Sequence, residues 1–455
     1  MVGIPVSSRV KFVVAAFLAM AMSITLAVSA SATIASKHDG AVTLTILHNN
    51  DGESSLDTST LKSGSITYKY GGVAAFRTVF DREAAAGRAA GNAVFGVYAG
   101  DSFLASKTLI CSDPAAAVTS KTKVFDAIAL RQIPYNAIAL GNHEFDYSPT
   151  FLNRYLRSLA KNGKPTIPVL GGNMDFSKEP DLKDFIADGG LESNVSAPGK
   201  NLAEWMIYTD SKTGAKFGIV TAITPLLATI SSPGKSKMLT ATLDDLAIHL
   251  QKQINTLRRM GINKIVLVSH LQDLINDKIL VGKLKGVDVA VGGGGDELLQ
   301  SDYISNSVEL LPGESAPVGS YPTNIKDITG KVVPIVTTSG NYKYVGRVDV
   351  RFDKRGNVIE VVQATSYPRR VIPVSAEATK LGVTDAVIPN VILVNTVVTP
   401  INACLADFTV PYAKSEVLFN TARGSASVSG VRTMETNGGN LITDSFMYLY
   451  DQVAA

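Results

Sequence analysis

Short apolar runs that end in polar side chains recur along the chain. The clearest are residues 44–47, 94–99, 136–140 and 264–268, and the third leads directly into the Gly-Asn-His-Glu segment at 141–144. Such runs are typical of buried strands. Functional sites in layered α/β proteins gather at the carboxyl ends of strands, so these polar residues are expected to lie close together.

Further apolar runs alternate with helical patterns. The additional strand patterns lie at 168–170, 217–221, 287–291 and 333–336, and the helical patterns include 150–160 and 243–260. Alternation of this kind predicts an α/β architecture in which helices cover the sheets. No internal repeat of a solenoid is visible.

The polar residues after the four clearest runs are of the types that bind metal ions. Asp51 and Glu53 follow the first run, Asp101 the second, Asn142 the third and His270 the fourth. Carboxylates, amide oxygens and imidazoles are all metal ligands in proteins. Each alone has an ordinary explanation, such as a turn residue or a helix cap, but their joint occurrence favours a metal site.

In these motifs the chain resembles the calcineurin-like metallophosphoesterases, and within them the secreted 5′-nucleotidase family. The matching segments, in the family's order, are Asn50-Asp51-x-Glu53, Gly100-Asp101, 141–146, Ser269-His270 and 286–293. The resemblance covers about residues 42–365 and resumes at 432–444. It implies a four-layer αββα sandwich with two mixed β-sheets, which hydrolyses phosphate esters with the help of two divalent metal ions.

The resemblance also implies a role for each site residue. The first metal would be held by Asp51, Glu53, Asp101 and Asp296, and the second by Asp101, Asn142 and His270. Asp101 would bridge the two ions. His143 would stabilise the transition state or protonate the leaving oxygen, and Asp146 would orient its ring.

Two departures from the family pattern change the expected metal chemistry. Glu53 stands where the family usually has His, and residues 292–297 read Gly-Gly-Gly-Gly-Asp-Glu where the family has Gly-Gly-His-x-His. Carboxylates are harder ligands than imidazoles, so Mn²⁺, Mg²⁺ or Ca²⁺ is favoured over Zn²⁺ at the first metal. With Gly294, the second metal has one side-chain ligand fewer than in the family. Water, a backbone carbonyl or the substrate would take the place of that ligand; the alternative is that the whole site is degenerate.

Both ends of the chain suggest segments outside the main domain. Residues 1–32 have the pattern of a signal peptide cleaved after Ala32, with an uncleaved membrane anchor as the rival interpretation. No later stretch is expected to be long and apolar enough to span a bilayer. We expect the metallophosphoesterase domain at 40–365, a linker at 366–415, and at 416–455 the start of a truncated C-terminal α/β domain, the part that holds the nucleoside in the family. Whether the gene continues past Ala455 stays open.

Composition restricts the partner and the compartment. The 43 Lys and Arg against 40 Asp and Glu are nearly balanced and scattered, which argues against a nucleic-acid polymer as partner. A small-molecule phosphate ester, with a nucleotide favoured, is the expected partner. The signal pattern predicts a secreted, periplasmic or extracellular protein. Cys111 and Cys404 form either a disulfide or two free buried thiols. His48 and His249 are interpreted as ordinary structural or surface residues.

The sequence therefore predicts a secreted metallophosphoesterase that releases phosphate from nucleotides by means of a metal-activated water. Two alternatives remain. One is a phosphomonoesterase or phosphodiesterase of broad specificity, since the base-stacking part of the family would be truncated. The other is a non-catalytic metal- or phosphate-binding remnant, which Gly294 and the abrupt end suggest.

Overall fold

A computed structural model describes most of the chain from Ala41 onward. The described residues are 41–112, 123–160, 167–187, 189–192, 200–305, 309–409, 414–422, 424, 428–431 and 433–454. The predicted signal peptide at 1–32 lies outside them. The chain divides into two compact units, Met1–Ile401 and Asn402–Ala455. The predicted domain and linker boundaries remain predictions.

All strands of the described residues belong to the first unit. In chain order they are β1 Val42–Asn49, β2 Ser59–Ser63, β3 Ile66–Tyr70, β4 Ala93–Ala99, β5 Ala137–Ala139, β6 Val169–Leu170, β7 Met174–Asp175, β8 Gly190–Glu192, β9 Leu202–Ala203, β10 Trp205–Thr209, β11 Lys216–Ile223, β12 Lys237–Met238, β13 Ile265–His270, β14 Val289–Val291, β15 Leu299–Gln300, β16 Gly319–Ser320, β17 Thr323–Lys326, β18 Val332–Val336, β19 Tyr344–Phe352, β20 Val358–Val361 and β21 Arg369–Arg370.

Helices connect and cover these strands. The α-helices are α1 Val73–Ala89, α2 Lys107–Ile110, α3 Phe125–Leu130, α4 Ser148–Leu159, α5 Leu227–Ile230, α6 Leu243–Arg259, α7 Leu274–Lys283, α8 Ala376–Lys380, α9 Val391–Leu393, α10 Thr399–Ala406 and α11 Asn437–Ala454. Single 3₁₀ turns lie at His143–Phe145 and Asp407–Thr409, and a π-helical segment lies at Val394–Val398. The helices predicted at 150–160 and 243–260 are thus α4 and α6.

Most of the strands form two mixed sheets. The first sheet has the order β20-β19-β1-β4-β5-β6-β9, with β21 also paired to β19, and the second has the order β17-β18-β14-β13-β11-β10-β8. In the first, β1 runs parallel to β4 and antiparallel to β19. In the second, β13 runs parallel to both of its neighbours. The predicted pair of mixed sheets is confirmed.

The two sheets pack face to face and carry helices on their outer sides. Leu44 and Phe95 of the first sheet belong to the same buried cluster as Ile219 and Val266 of the second. Helix α1 packs on β1, β4 and β19, while α6 packs on β11. Strands covered on both faces are apolar throughout, as all seven buried residues of β4 illustrate. The predicted four-layer αββα sandwich is confirmed.

Helix α6 shows how local sequence sets a helix boundary. Its N-cap Thr242 and Asp245 form a reciprocal capping box, and Arg258 and Arg259 lie in its last turn. These groups satisfy the first backbone N–H groups and complement the helix dipole at the carboxyl end. The buried side of the helix then covers the outer face of the second sheet.

One helical stretch corrects an expectation from sequence. Within the described residues, Val391–Thr409 is long and apolar enough to cross a membrane, whereas no such stretch was expected beyond the signal. The expectation was wrong as regards length and composition. The stretch contains a π-helical segment, and Leu393 and Val397 are fully buried in the first unit.

Both cysteines are disulfide-bonded, and the second unit contains one long helix. Neither Cys111 nor Cys404 is a free thiol, because each is disulfide-bonded, so the alternative of two free thiols is wrong. Helix α11 is the long element of the second unit, and apolar side chains such as Phe446 and Tyr450 are exposed along it.

A buried ion network fastens α1 to the first sheet. Glu83 Oε2 lies 3.0 Å from both Arg347 Nη1 and Arg369 Nε, and all three side chains are at most 8% exposed. Burial works to raise the pKa of Glu83, but the neighbouring guanidinium groups outweigh it and hold that pKa below its ordinary value.

We expect Glu83→Gln to lower the free energy of unfolding by about 3–5 kcal/mol, because two buried guanidinium groups lose their counter-charge. The folded pKa of Glu83 is lowered, so its contribution is present above the unfolded pKa and is lost as pH falls through the folded value. Urea unfolding at pH 7 and below pH ~4 measures both effects. The control Asp81→Asn, in an exposed pair with Arg77 on the same helix, should cost below about 0.5 kcal/mol. Equal losses in both variants would contradict the assignment.

Candidate metal centre and active site

Three buried side chains from both sheets meet at the carboxyl ends of their strands. Asp51 follows β1, Asp101 follows β4, and His270 is the last residue of β13. One possible ligand atom from each lies within 4.8 Å of the other two. The structure therefore places three of the predicted metal ligands in one group.

His270 is oriented by a backbone carbonyl of the opposite sheet. Its Nδ1 lies 2.7 Å from the carbonyl oxygen of Ala99, which fixes a proton on Nδ1. Its Nε2 then faces Asp101 Oδ2 at 2.9 Å and, among the described residues, is a buried nitrogen without a hydrogen-bond partner. Two acceptors face each other here, so a second proton or a cation must lie between them. The arrangement fits a divalent metal ion.

The charges of the site favour a cation at the same point. Burial works to lower the pKa of His270, but Asp101 and Asp51 outweigh it and raise that pKa to about 10. Burial raises the pKa of Asp51 to about 8, with the charge of Asp101 adding to it and that of His270 opposing it. Buried carboxylates that are costly to ionise without a counter-charge are stabilised by a bound cation.

Asp51 is positioned by Asn50, whose role the sequence interpretation left out. Asn50 Nδ2 donates to Asp51 Oδ2 at 2.6 Å and to the carbonyl of Thr338 at 2.8 Å. Asn50 Oδ1 accepts from the Thr338 backbone N–H at 3.1 Å. The backbone N–H of Gly294 donates to Asp51 Oδ2 at 2.9 Å. The carboxylate is thus held by Asn50 and Gly294, and Thr338 fixes Asn50 in turn.

Glu144 fixes the turn that carries Asp101. Its fully buried carboxylate accepts hydrogen bonds from the backbone N–H groups of Asp101 at 3.0 Å, Ser102 at 2.6 Å and Gly141 at 2.7 Å. Asp101 has a φ of 60°, a left-handed conformation that is strained for a residue with a side chain. Glu144 was quoted in the sequence motif without a role, and the structure makes it a positioning residue.

His143 and Asp146 form the expected pair beside the metal ligands. His143 Nδ1 lies 2.5 Å from Asp146 Oδ2, and His143 Nε2 lies 3.8 Å from Asp101 Oδ2. Both side chains are about a quarter exposed, which leaves the ring accessible to a substrate. Burial works to lower the pKa of His143, but Asp146 and Asp101 outweigh it and raise that pKa to about 9.

Ser231 extends this pair to a third residue. Its hydroxyl donates to Asp146 Oδ1 at 2.9 Å, so Asp146 is held on both of its oxygens. Ser231 ends helix α5, in a segment remote from His143 in sequence. No motif marks it, and only the fold reveals it.

The remaining predicted ligands lie around the three-residue group. Asn142 Oδ1 accepts a hydrogen bond from Gln272 Nε2 at 2.6 Å, and Glu53 Oε2 accepts one from Asn341 Nδ2 at 3.2 Å. Burial raises the pKa of Glu53, and the charges of Asp296 and Asp101 add to the rise. Asp296 itself is exposed. The roles of Glu53, Asn142 and Asp296 as ligands remain predictions.

Gly340 allows Asp51 and Asp296 to lie close to the backbone of residue 340. A Cβ at residue 340 would lie 2.7 Å from the Asp51 carbonyl oxygen and 3.0 Å from Asp296 Oδ1. A larger residue would therefore push the carboxylate of Asp296 away from Asp51. The glycine keeps these acidic residues on one side of the site.

Comparisons with known proteins agree with this geometry. No family model matches the chain. A snake venom 5′-nucleotidase from Gloydius brevicauda is 32% identical over 323 residues, which are 70% of this chain and 47% of that protein. A 5′-nucleotidase from Homo sapiens is 31% identical over 230 residues, which are 50% of this chain and 34% of that protein. The chain thus spans about half the length, or less, of these curated relatives.

Solved structures show the same fold. A 5′-nucleotidase precursor from Thermus thermophilus aligns with a TM-score of 0.65 and 26% identity, covering 91% of this chain and 68% of that one. A calcineurin-like phosphoesterase from Bacillus subtilis aligns with a TM-score of 0.52 and 14% identity, covering 81% of this chain and 99% of that one.

The four-layer sandwich, with acidic and imidazole side chains at the carboxyl ends of strands from both sheets, defines a calcineurin-like metallophosphoesterase fold. Within that class, the matching residues of the chain are similar to those of 5′-nucleotidases.

We expect Glu144→Gln to lower the free energy of unfolding of the metal-free protein by about 1–3 kcal/mol. Each oxygen of Glu144 accepts a hydrogen bond from a backbone N–H. In either orientation, the NH₂ group of the new amide would face one of these donors, and that hydrogen bond would be lost. Urea unfolding measures the loss. The exposed Asp296→Asn removes a charge from the same site and should change the stability by less than about 0.5 kcal/mol. A Glu144→Gln protein as stable as the wild type would show that the three hydrogen bonds do not hold the turn.

Proposed function

We propose that the protein hydrolyses phosphate monoesters, with 5′-nucleotidase-type release of phosphate from nucleotides as its main activity. The observation that carries the proposal is the buried approach of His270 Nε2 to Asp101 Oδ2 at 2.9 Å, next to the His143–Asp146 pair. The same small volume thus offers a metal site and a proton donor. The names of the curated relatives support nucleotides as the substrates.

In this proposal, the site holds two divalent ions. Asp51, Glu53, Asp101 and Asp296 would hold the first, and Asp101, Asn142 and His270 the second. When bound, such ions lower the pKa of a water molecule and neutralise charge on the phosphoryl oxygens. The large share of carboxylates, with Glu53 and Asp296 near each other, supports Mn²⁺, Mg²⁺ or Ca²⁺ over Zn²⁺ at the first position.

In this proposal, His143 donates a proton to the leaving oxygen, while Asp146 and Ser231 orient its ring. His143 is held through Nδ1 by Asp146, so its Nε2 is the nitrogen available to a substrate on the Asp101 side. Asp146 and Asp101 raise the pKa of His143 in the metal-free site, and a protonated imidazole at this position can give its proton to the leaving oxygen. Ser231 prevents Asp146 from turning away.

We also propose that the protein is secreted and acts in nucleotide catabolism outside the cytoplasm. The apolar run near the N-terminus, with its small-residue end at 30–32, supports export. The disulfide-bonded state of Cys111 and Cys404 supports an oxidising compartment, because structural disulfides are rare in the cytosol.

We expect the purified protein to release phosphate from AMP, and more slowly from an aryl phosphate, with Mn²⁺ or Ca²⁺ giving higher rates than Zn²⁺. Asp101→Asn should lower kcat/KM by at least about 100-fold, because it weakens the ligand shared by both metals. Colorimetric phosphate release measures the rates. If wild type and Asp101→Asn release phosphate equally with every metal, the proposed function is wrong.

We expect substitutions of His143 and of Ser231, which holds Asp146, to lower kcat to different degrees. His143→Ala should lower kcat by about 10²–10⁴-fold. Ser231→Ala should lower it by about 3–10-fold, since one hydrogen bond to Asp146 is lost. The exposed neighbour Ser232→Ala serves as the matched control and should keep the wild-type rate. A Ser231→Ala protein that loses bound metal, measured by elemental analysis after dialysis, would show that Ser231 acts on the metal ligands instead.

A further inference from the structure

The backbone at Gly294 leaves no room for the side chain that the sequence comparison expects there. Gly294 has a φ of 89°, and a Cβ built on it would lie 2.7 Å from the backbone nitrogen of Gln272 and 3.0 Å from its Cα. The same Cβ would lie 3.0 Å from His270 Nε2. The space beside the second proposed metal position is therefore bounded by Gln272.

Gln272 has an unusual backbone conformation for a residue with a side chain. Its φ is 75°, in the left-handed region, which costs about 1–2 kcal/mol for an ordinary residue. Asp51, Glu53 and Asp101 share this conformation. Strained residues of this kind cluster at functional sites, where the surrounding structure holds them in place.

The segment around Gln272 is held by several fixed contacts. The backbone N–H of Leu271 donates to the carbonyl of Gly293 at 3.1 Å, and Asn276 Nδ2 donates to the carbonyl of Leu271 at 2.8 Å. The backbone N–H of Leu274 donates to Glu297 Oε1 at 2.7 Å. Gln272 thus keeps a fixed position relative to His270, two residues earlier.

The side chain of Gln272 reaches a proposed metal ligand. Its terminal amide nitrogen lies 2.6 Å from Oδ1 of Asn142, a side chain that is only 4% exposed. A rotation of 180° about the last side-chain bond exchanges the amide nitrogen for the amide oxygen. Two oxygens bound to one divalent ion lie about 3 Å apart at ordinary metal–oxygen distances. An ion bound by Asn142 Oδ1 is thus within reach of Gln272 Oε1.

We propose that Gln272 is a ligand of the second metal ion, whose amide oxygen takes the coordination position that Gly294 leaves without a side chain. The inference rests on the proposed function, because it assigns a residue to the same metal centre. The expected ligands of that ion are then Asp101, Asn142, His270 and Gln272. An amide oxygen in place of an imidazole further favours Mn²⁺, Mg²⁺ or Ca²⁺ over Zn²⁺.

Binding of Mn²⁺ to the full chain tests the proposal without any need for turnover. Isothermal titration should find two Mn²⁺ sites in the wild type. Gln272→Gly removes the side chain and relieves the left-handed strain, so the protein should fold, and the affinity of one site should fall by about 10–100-fold. Gln272→Glu keeps an oxygen at the same reach and should bind that ion at least as tightly as the wild type.

The glutamate variant separates a ligand from a hydrogen-bond donor. If Gln272 only donates to Asn142, Gln272→Glu loses that donor and should weaken Mn²⁺ binding as much as Gln272→Gly does, which would overturn the proposal. Unchanged binding of both ions in Gln272→Gly would also overturn it. Circular dichroism and urea unfolding of the metal-free variants establish that they are folded. Two Mn²⁺ sites with the predicted pattern but no phosphate release would contradict only the proposed function.

Discussion

The hydrogen bond between His270 Nδ1 and the carbonyl of Ala99 determines most of the chemistry at this site. It joins the end of β13 in the second sheet to the end of β4 in the first, and it places the ring proton away from Asp101. With Nδ1 engaged in this way, Nε2 is the ring atom that faces a buried carboxylate, and a second proton or a cation lies between them. A cation then becomes the natural partner of both groups, and the metal centre follows from how the two sheets are packed together.

Residues that are not themselves candidate metal ligands position the site residues through hydrogen bonds. Asn50 holds Asp51, Glu144 holds the turn of Asp101, and Ser231 holds Asp146. Strained backbone at Asp51 and Asp101 is tolerated because these contacts fix the chain on either side. These hydrogen bonds preorganise the candidate ligands, as the proposed electrostatic mechanism needs.

Much of this arrangement follows from local sequence. Apolar runs predicted β1, β4 and β13, and their polar ends predicted that Asp51, Asp101 and His270 would meet. The carboxyl ends of the parallel strands β1 and β4 share one edge, and the packing of the two sheets brings the end of β13 to it. The contributions of Ser231 and Gln272 could not be predicted, since neither belongs to a motif and each acts through a contact distant in sequence. The apolar helical stretch from Val391 was also missed. Local pattern thus identified the candidate ligands Asp51, Asp101 and His270, and the tertiary structure identified the residues that position them.

The central claim is that a divalent cation binds between His270 Nε2 and Asp101. An anomalous difference map from a crystal of the Mn²⁺-soaked protein tests it most directly. The account predicts a peak about 2.0–2.4 Å from both His270 Nε2 and an oxygen of Asp101, with the ring still bound to the Ala99 carbonyl. A fully soaked crystal with no peak there, in which Nε2 donates directly to Asp101, would contradict it.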